Sequence, residues 1–112
     1  MDISIRANHV DLTPLVTEYV EEKVGHLQKY INGAIETKVE LERDRHHHSG
    51  NVFRAEVTMM IGGKMIRADA TAEDMYAAID LVIPKLKEQI SKFKDKKETL
   101  RKRGARSAKR KI

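Results

Sequence analysis

From Met75 to Phe93 the apolar residues recur at helical intervals, and this stripe limits the possible folds more than any other stretch of the chain. At about 100° per residue, Met75, Ile79, Val82, Ile83, Leu86, Ile90 and Phe93 lie within roughly 60° of one line. The stripe predicts a helix laid along a sheet. Lys85, Gln89, Lys92 and Lys96 form a second line along one flank, and Lys87 and Lys94 lie on the other. Pro84 ordinarily costs a helix about 3 kcal/mol. Here it falls opposite the apolar stripe, where a bend curves the helix over its support.

The rest of the chain supplies that support. "ISIRA" alternates Ile3 and Ile5 with Ser4 and Arg6, the pattern of a half-buried strand. "DLTPLVTEYVEEKVGHLQKYI" predicts a first helix, capped by Thr13, with Pro14 where a missing N–H costs nothing and "NG" at Asn32–Gly33 as its stop. Its apolar face runs through Leu15 or Val16, Tyr19 or Val20, Lys23 or Val24, Leu27, and Tyr30 or Ile31. "IETKVELER" and "VFRAEVTMMI" alternate again, and Gly62–Gly63 signals a two-residue hairpin returning through "KMIRADA". Thr71 is the expected cap of the last helix, with Glu73 and Asp74 in its first turn. The fold expected is α+β in the order β-α-β-β-β-α, an antiparallel meander of four strands with two helices on one face. Residues 1–97 form the domain, and 98–112 a basic, flexible tail rich in charge and poor in apolar residues.

The net charge of +5 hides an asymmetry. Residues 1–84 hold 9 Lys/Arg and 14 Asp/Glu, a net of −5, whereas residues 85–112 hold 13 and 3, a net of +10. A solubility surface mixes signs. From Lys85 to Lys97 only Glu88 and Asp95 interrupt the lysines, and the cations run on through Arg101 into "RKRGARSAKRK". Such a line suits a phosphate backbone, read by shape and charge more than by sequence, since the last helix carries no exposed aromatic ladder. Cysteine is absent, which excludes disulfides and thiolate metal sites. No apolar run reaches the length of a membrane span and no signal peptide is recognisable, so a cytoplasmic protein is expected.

These segments also resemble a known family. "EDMYAAIDLVIPKLKEQISKFKDK", preceded by "ADATAE" and "VFRAEVTMMIGGKMI", is similar to the ribosome hibernation-promoting factors and ribosome-associated translation inhibitors, in their short form. The resemblance covers about residues 1–97, and "DMYAAID" followed by "KL..Q..K.K" is its most specific part. It implies a fold akin to a double-stranded-RNA-binding domain. It further implies binding to rRNA in the decoding channel of the small ribosomal subunit, within the 70S ribosome, and inhibition of translation in stationary or stressed cells. Carried over by position, Lys85, Lys92 and Lys96 face the rRNA, with Lys23 and Lys29 of the first helix as further candidates. His26 stands where lysine is common, and there it contributes charge only as imidazolium. Glu88 stands where the family often has Arg, with Lys87 one residue earlier, and Pro84 replaces the usual Asp or Asn. A sequence of this length is expected to lack the second, dimerisation domain of the long form.

Other readings are weaker. "DRHHHSGN" places Asp44, His46 and His48 on one side of an extended chain, a conceivable metal site, yet Ser-Gly-Asn is turn chemistry and a loop explains it better. Met59, Met60 and Met65 read as strand packing, and Tyr76 as a core residue with its hydroxyl at the rim. There is no phosphate-cradling glycine loop, nucleophile motif or converging carboxylate pair. The reading is therefore non-enzymatic, with no cofactor or small-molecule substrate. The alternatives are a generic double-stranded-RNA binder and, further off, a metal-dependent enzyme.

Overall fold

A computed structural model describes residues 2–31, 35–44, 50 and 52–110, with side chains as far as Phe93. Strand β1 (Asp2–Asn8) leads into helix α1 (Pro14–Gly25), whose first turn is built as the sequence predicts. The Thr13 hydroxyl accepts the Val16 N–H at 3.2 Å, and Pro14 takes the first turn, where its missing N–H has no helical partner to lose. The α-helix ends at Gly25, earlier than expected from Asn32–Gly33, and tightens into a 3-10 helix, His26–Tyr30. Glycine holds an α-helical interior poorly, and the tighter turn carries the chain to an extended Ile31. Residues 32–34 lie outside the described residues.

Strands β2 (Ile35–Arg43), β3 (Phe53–Ile61) and β4 (Lys64–Ala72) complete a four-stranded sheet in the order β1-β2-β3-β4. The α+β class and the element order are as predicted, but the sheet is mixed and not a simple antiparallel meander. β1 pairs in parallel with β2, Ile5 opposite Val39, while β2–β3 and β3–β4 are antiparallel. The helical crossover after β1 returns the chain to the end where β1 began, which forces β2 into the same direction. Gly62 and Gly63 turn β3 into β4 with both φ angles positive, 54° and 83°, the conformation that a two-residue hairpin needs.

Alternation along the strands sorts the two faces. Ile35, Thr37, Val39 and Leu41 of β2, Ala55, Val57, Met59 and Ile61 of β3, and Ile66, Ala68, Ala70 and Ala72 of β4 all point to the core. Helix α2 (Met75–Arg110) covers β3 and β4 with the predicted stripe. Met75, Ile79, Val82, Ile83, Leu86 and Ile90 are buried, and Phe93 packs at its edge. Pro84 is exposed on the back of the helix, as expected. α1 lies on the same sheet face and adds Val16, Val20 and Val24, with Leu27 and Ile31 following; Leu15 and Tyr30, the alternatives, are exposed.

Two expectations at the ends of α2 change. Thr71 lies in β4, and the cap is Asp74, whose Oδ1 accepts the Ala77 N–H at 2.8 Å. A carboxylate one residue before the helix serves better than a hydroxyl held in a strand ladder. At the other end the backbone stays helical to Arg110, where an irregular tail was expected from residue 98. Lys, Arg, Glu, Leu and Ala are all good helix formers, and that local preference opposes the charge repulsion that the composition suggested.

Thr37 is fully buried, and among the described residues its Oγ1 has no hydrogen-bond partner. An unsatisfied buried hydroxyl costs about 1–3 kcal/mol. Thr37→Val is therefore expected to raise stability by about 1 kcal/mol in a urea titration. A loss of stability instead would show that the hydroxyl is bonded in solution.

The far face of the sheet carries charge, including an unexpected burial. Glu56 is only 7% exposed although it points away from the core. Arg54 Nη2 donates to its Oε2 at 2.6 Å, Arg67 Nη2 to its Oε1 at 2.8 Å, and Arg54 Nε reaches Asp69 Oδ2 at 3.2 Å. Burial alone disfavours the Glu56 carboxylate, but the hydrogen bonds from Arg67 and Arg54 outweigh it and hold its pKa below the ordinary value. The unfolded chain thus binds the proton more tightly than the folded one. The stabilisation is complete above the unfolded pKa of 4.5 and is lost as pH falls through the lower folded value. Acid titration of stability should show this loss below about pH 4.5, and Glu56→Gln should flatten it while lowering stability at neutral pH.

Candidate nucleic-acid interface

The two lysine flanks of α2 face different neighbours. On one side α2 meets β4, the free edge of the sheet. Lys85 Nζ donates to the Asp69 carbonyl at 2.8 Å, and Gln89 Nε2 to the Arg67 carbonyl at 2.7 Å. Those carbonyls point out from the edge strand and have no strand to bond, so two side chains of the cationic line close the edge. Lys92 stands one turn further on, exposed, with Glu88 Oε1 at 3.2 Å. An exposed i,i+4 pair of this kind contributes little and yields readily to a phosphate.

This flank recruits a cation that the helix pattern did not reveal. Lys64, at the start of β4, holds its Nζ 5.0 Å from the Phe93 ring centroid. Lys64 is far from Phe93 in sequence, and only the fold brings them together. Arg67 gives this flank only its carbonyl, because its guanidinium lies on the far face of the sheet with Glu56. Lys96 continues the same helical line by sequence, and Lys94 the opposite one. With Arg101 they lie on the helical backbone beyond the last described side chain.

On the other flank α2 meets α1. The Tyr19 hydroxyl donates to Asp80 Oδ1, and the Tyr19 and Tyr76 rings meet edge to face at 5.0 Å and 89°. The Asp80 hydrogen bond, with burial and the Asp80 charge behind it, raises the Tyr19 pKa to about 12, so the hydroxyl stays a donor at physiological pH. Tyr76 is half exposed in this seam, further out than the core position expected of it. Lys23 Nζ lies 5.4 Å from the Tyr19 centroid, and Lys87 Nζ 5.7 Å from that of Tyr30. His26 and Lys29 are exposed on the 3-10 helix. The candidates therefore divide into two surfaces, Lys85, Gln89 and Lys92 along β4, and Lys23, His26, Lys29 and Lys87 along α1.

Charge on the sheet's far face is mixed, with Lys38, Arg54 and Arg67 among the acids. Glu36, Glu40 and Glu42 alternate outward along β2, as their spacing predicted. Among the described residues no group of three His, Asp or Glu is placed to hold a metal ion, and no helix is long and apolar enough to cross a membrane. The His46–His48 run lies outside the described residues.

Residues 3–98 match the family described as Sigma 54 modulation protein / S30EA ribosomal protein. The chain belongs to this family. Its members include the ribosome hibernation promoting factor of Escherichia coli (strain K12), 34% identical over 96 residues, which are 86% of this chain and 96% of that protein. The factor of Azotobacter vinelandii is 32% identical over 108 residues, 96% of this chain and 95% of its own. The ribosome hibernation promotion factor of Bacillus subtilis (strain 168) is 32% identical over 96 residues, and this chain spans about half, 50%, of its length. Among solved structures, the N-terminal domain of Thermus thermophilus Protein Y superposes with a TM-score of 0.72 at 30% identity, covering 83% of this chain and 99% of that one. A ribosomal subunit interface protein from Coxiella burnetii gives 0.70 at 25% identity, covering 85% and 99%. The names of these S30EA-family relatives and structures speak of ribosomes and their subunits where they name a role, and none names a reaction. The mixed four-stranded sheet under two helices is thus the family's fold.

Proposed function

We propose that the chain is a non-enzymatic ribosome hibernation factor of the cytoplasm. It binds rRNA in the decoding channel of the small subunit, there displaces messenger and transfer RNA, and so inhibits translation in stationary or stressed cells. The observation that carries this reading is the cationic α2 flank along β4, together with relatives named for ribosome hibernation over nearly their whole length. A rigid helix presents Lys85 and Lys92 without the ordering cost that a flexible segment would meet on binding. Lysine suits a phosphate backbone, which needs point charge more than a planar fork. Lys23, His26, Lys29 and Lys87 serve as a second phosphate-contacting surface, and Gln89 as a neutral donor beside Lys85.

Sedimentation of an extract from stationary cells, probed for this protein, tests the reading. The protein should travel with 70S ribosomes or small subunits and leave them in the growing cell. Confinement to the top of the gradient would overturn it. Ribosome-free duplex RNA in excess should compete poorly, and strong competition would favour the generic double-stranded-RNA binder.

Residues 98–112 are proposed to add affinity without choosing the site. Deleting 101–112 removes Arg101, Lys102, Arg103, Arg106, Lys109, Arg110 and Lys111. Affinity for small subunits should fall and its salt dependence flatten, while the nucleotides protected from chemical probes stay the same. A shifted footprint would make the basic segment the recognition element.

A further inference from the structure

We propose that Tyr30 is a stacking platform for an unpaired RNA base, on the α1 side of α2 and apart from the Lys85–Lys92 flank. The proposal rests on the ribosomal reading above and adds to it a contact with a base face, which charge alone does not supply.

Tyr30 is set out at the surface by the local backbone. Residues three apart eclipse one another in a 3-10 helix, so Tyr30 stands directly beyond Leu27. Leu27 is fully buried and anchors the turn in the core, while Tyr30 remains 45% exposed at the rim. Among the described residues its ring meets no other aromatic ring, unlike Tyr76, which is set edge-on against Tyr19. A tyrosine with only packing to do would turn its ring inward, as Tyr19 does against α2.

One cation stands over the ring, and others are exposed on the same turn. Lys87 Nζ lies 5.7 Å from its centroid, brought there by α2. Lys29 precedes it in the chain, and Lys29 eclipses His26 along the next edge of the same 3-10 helix, both exposed. Further along the seam Lys23 stands over Tyr19. Of the acids facing this seam, Asp80 already accepts the Tyr19 hydroxyl. An exposed flat ring with an ammonium group beside it and further exposed cations on its turn matches a ligand that carries flat aromatic groups on a polyanionic chain. In a duplex the base faces are covered by their neighbours, so the matching class is an unpaired nucleotide in a loop, bulge or single strand. The base lies on the Tyr30 ring and its phosphate falls to Lys87 or Lys29.

The test is binding of the whole chain to purified small ribosomal subunits at several salt concentrations, with a melting curve for each variant. Stacking is insensitive to salt, whereas each phosphate contact steepens the salt dependence. Tyr30→Ala should weaken binding about tenfold, equal to about 1.4 kcal/mol, with the slope of log affinity against log salt unchanged. Tyr30→Phe should bind as the unchanged chain does. Lys87→Ala should weaken binding and also flatten the slope by about 0.7. Should Tyr30→Ala fail to fold, Tyr30→Leu keeps the apolar bulk, removes the aromatic face and is expected to show the same loss. Undiminished affinity of the Ala or Leu variant, or a loss that Phe shares, overturns the stacking proposal. So does a flattened slope in Tyr30→Ala, which would mean that the ring only positions Lys87. If the unchanged chain binds and the Lys85, Lys92 and Lys96 variants do not, the ribosomal reading survives that failure. If the unchanged chain itself does not bind, it is the ribosomal reading that falls.

Discussion

Replacing Lys85, Lys92 and Lys96 together with glutamate is expected to abolish binding to the small ribosomal subunit. The three positions lie on one helical line, separated by about 10 Å and 6 Å along the axis at 1.5 Å per residue. A folded RNA brings phosphates that close, and reversal converts three attractions into three repulsions. Neutralising the same positions should flatten the salt dependence by about 0.7–0.9 for each phosphate that then keeps its counterion. The structure adds a cost that the sequence did not show. Lys85 bonds the Asp69 carbonyl and Lys92 pairs with Glu88, so glutamate at 85 meets an acceptor and glutamate at 92 meets a like charge. Both sites are exposed, and the loss of stability should stay near about 1 kcal/mol. A triple glutamine variant is the cleaner companion, because Gln89 already shows that an amide on this flank reaches a β4 carbonyl. It should fold as the unchanged chain does and still lose most of its affinity.

Leu86→Ala and Ile90→Ala should do the reverse. Leu86 and Ile90 are almost wholly buried beneath the same helix that carries the lysines. Truncation removes apolar packing and leaves a cavity that the sheet cannot fill, at a cost of about 2–5 kcal/mol. For a domain of this size such a loss lowers the melting temperature by at least about 10 °C. At a temperature where the variant is still folded its affinity should be nearly unchanged. A large affinity loss in the folded variant would mean that the lysine line depends on fine positioning by the core, more than on charge. Stability and binding should then separate onto different faces of one helix.

Much of this division is visible in the chain itself. The stripe from Met75 to Phe93, the Thr13–Pro14 start of α1, the alternation of β2 and the Gly62–Gly63 turn are local patterns, and local geometry sets them. The misread features depend on partners distant in sequence. Alternation is the same in parallel and antiparallel strands, so the direction of β2 against β1 follows only from the crossover. Thr71 and Asp74 are both good caps, and the choice was made by where the β4 ladder ends, at Ala72. Glu56 has the position of an exposed acid, yet two arginines from neighbouring strand positions close over it. The helical wheel separates the Lys85 flank from the Lys87 flank but cannot name their neighbours. Lys64 joins the first, and Tyr30 the second, only because α2 packs between the β4 edge and α1. Tyr30 was one of two residues suited to the buried face of the first helix, and the 3-10 turn gave that place to Ile31 and left Tyr30 at the rim.

The central claim is that the α2 flank along β4 binds the small subunit by charge held in a fixed geometry. Pelleting of the purified chain with small ribosomal subunits, at a low and a moderate salt concentration, tests it most directly when the triple glutamine variant is run alongside. The unchanged chain should pellet at both, with a clear drop at the higher salt, and the variant should remain in the supernatant at moderate salt with its melting curve intact. If the folded variant pellets with the subunits as completely as the unchanged chain, the lysine line is only a solvated face, and binding, if any, lies elsewhere on the molecule.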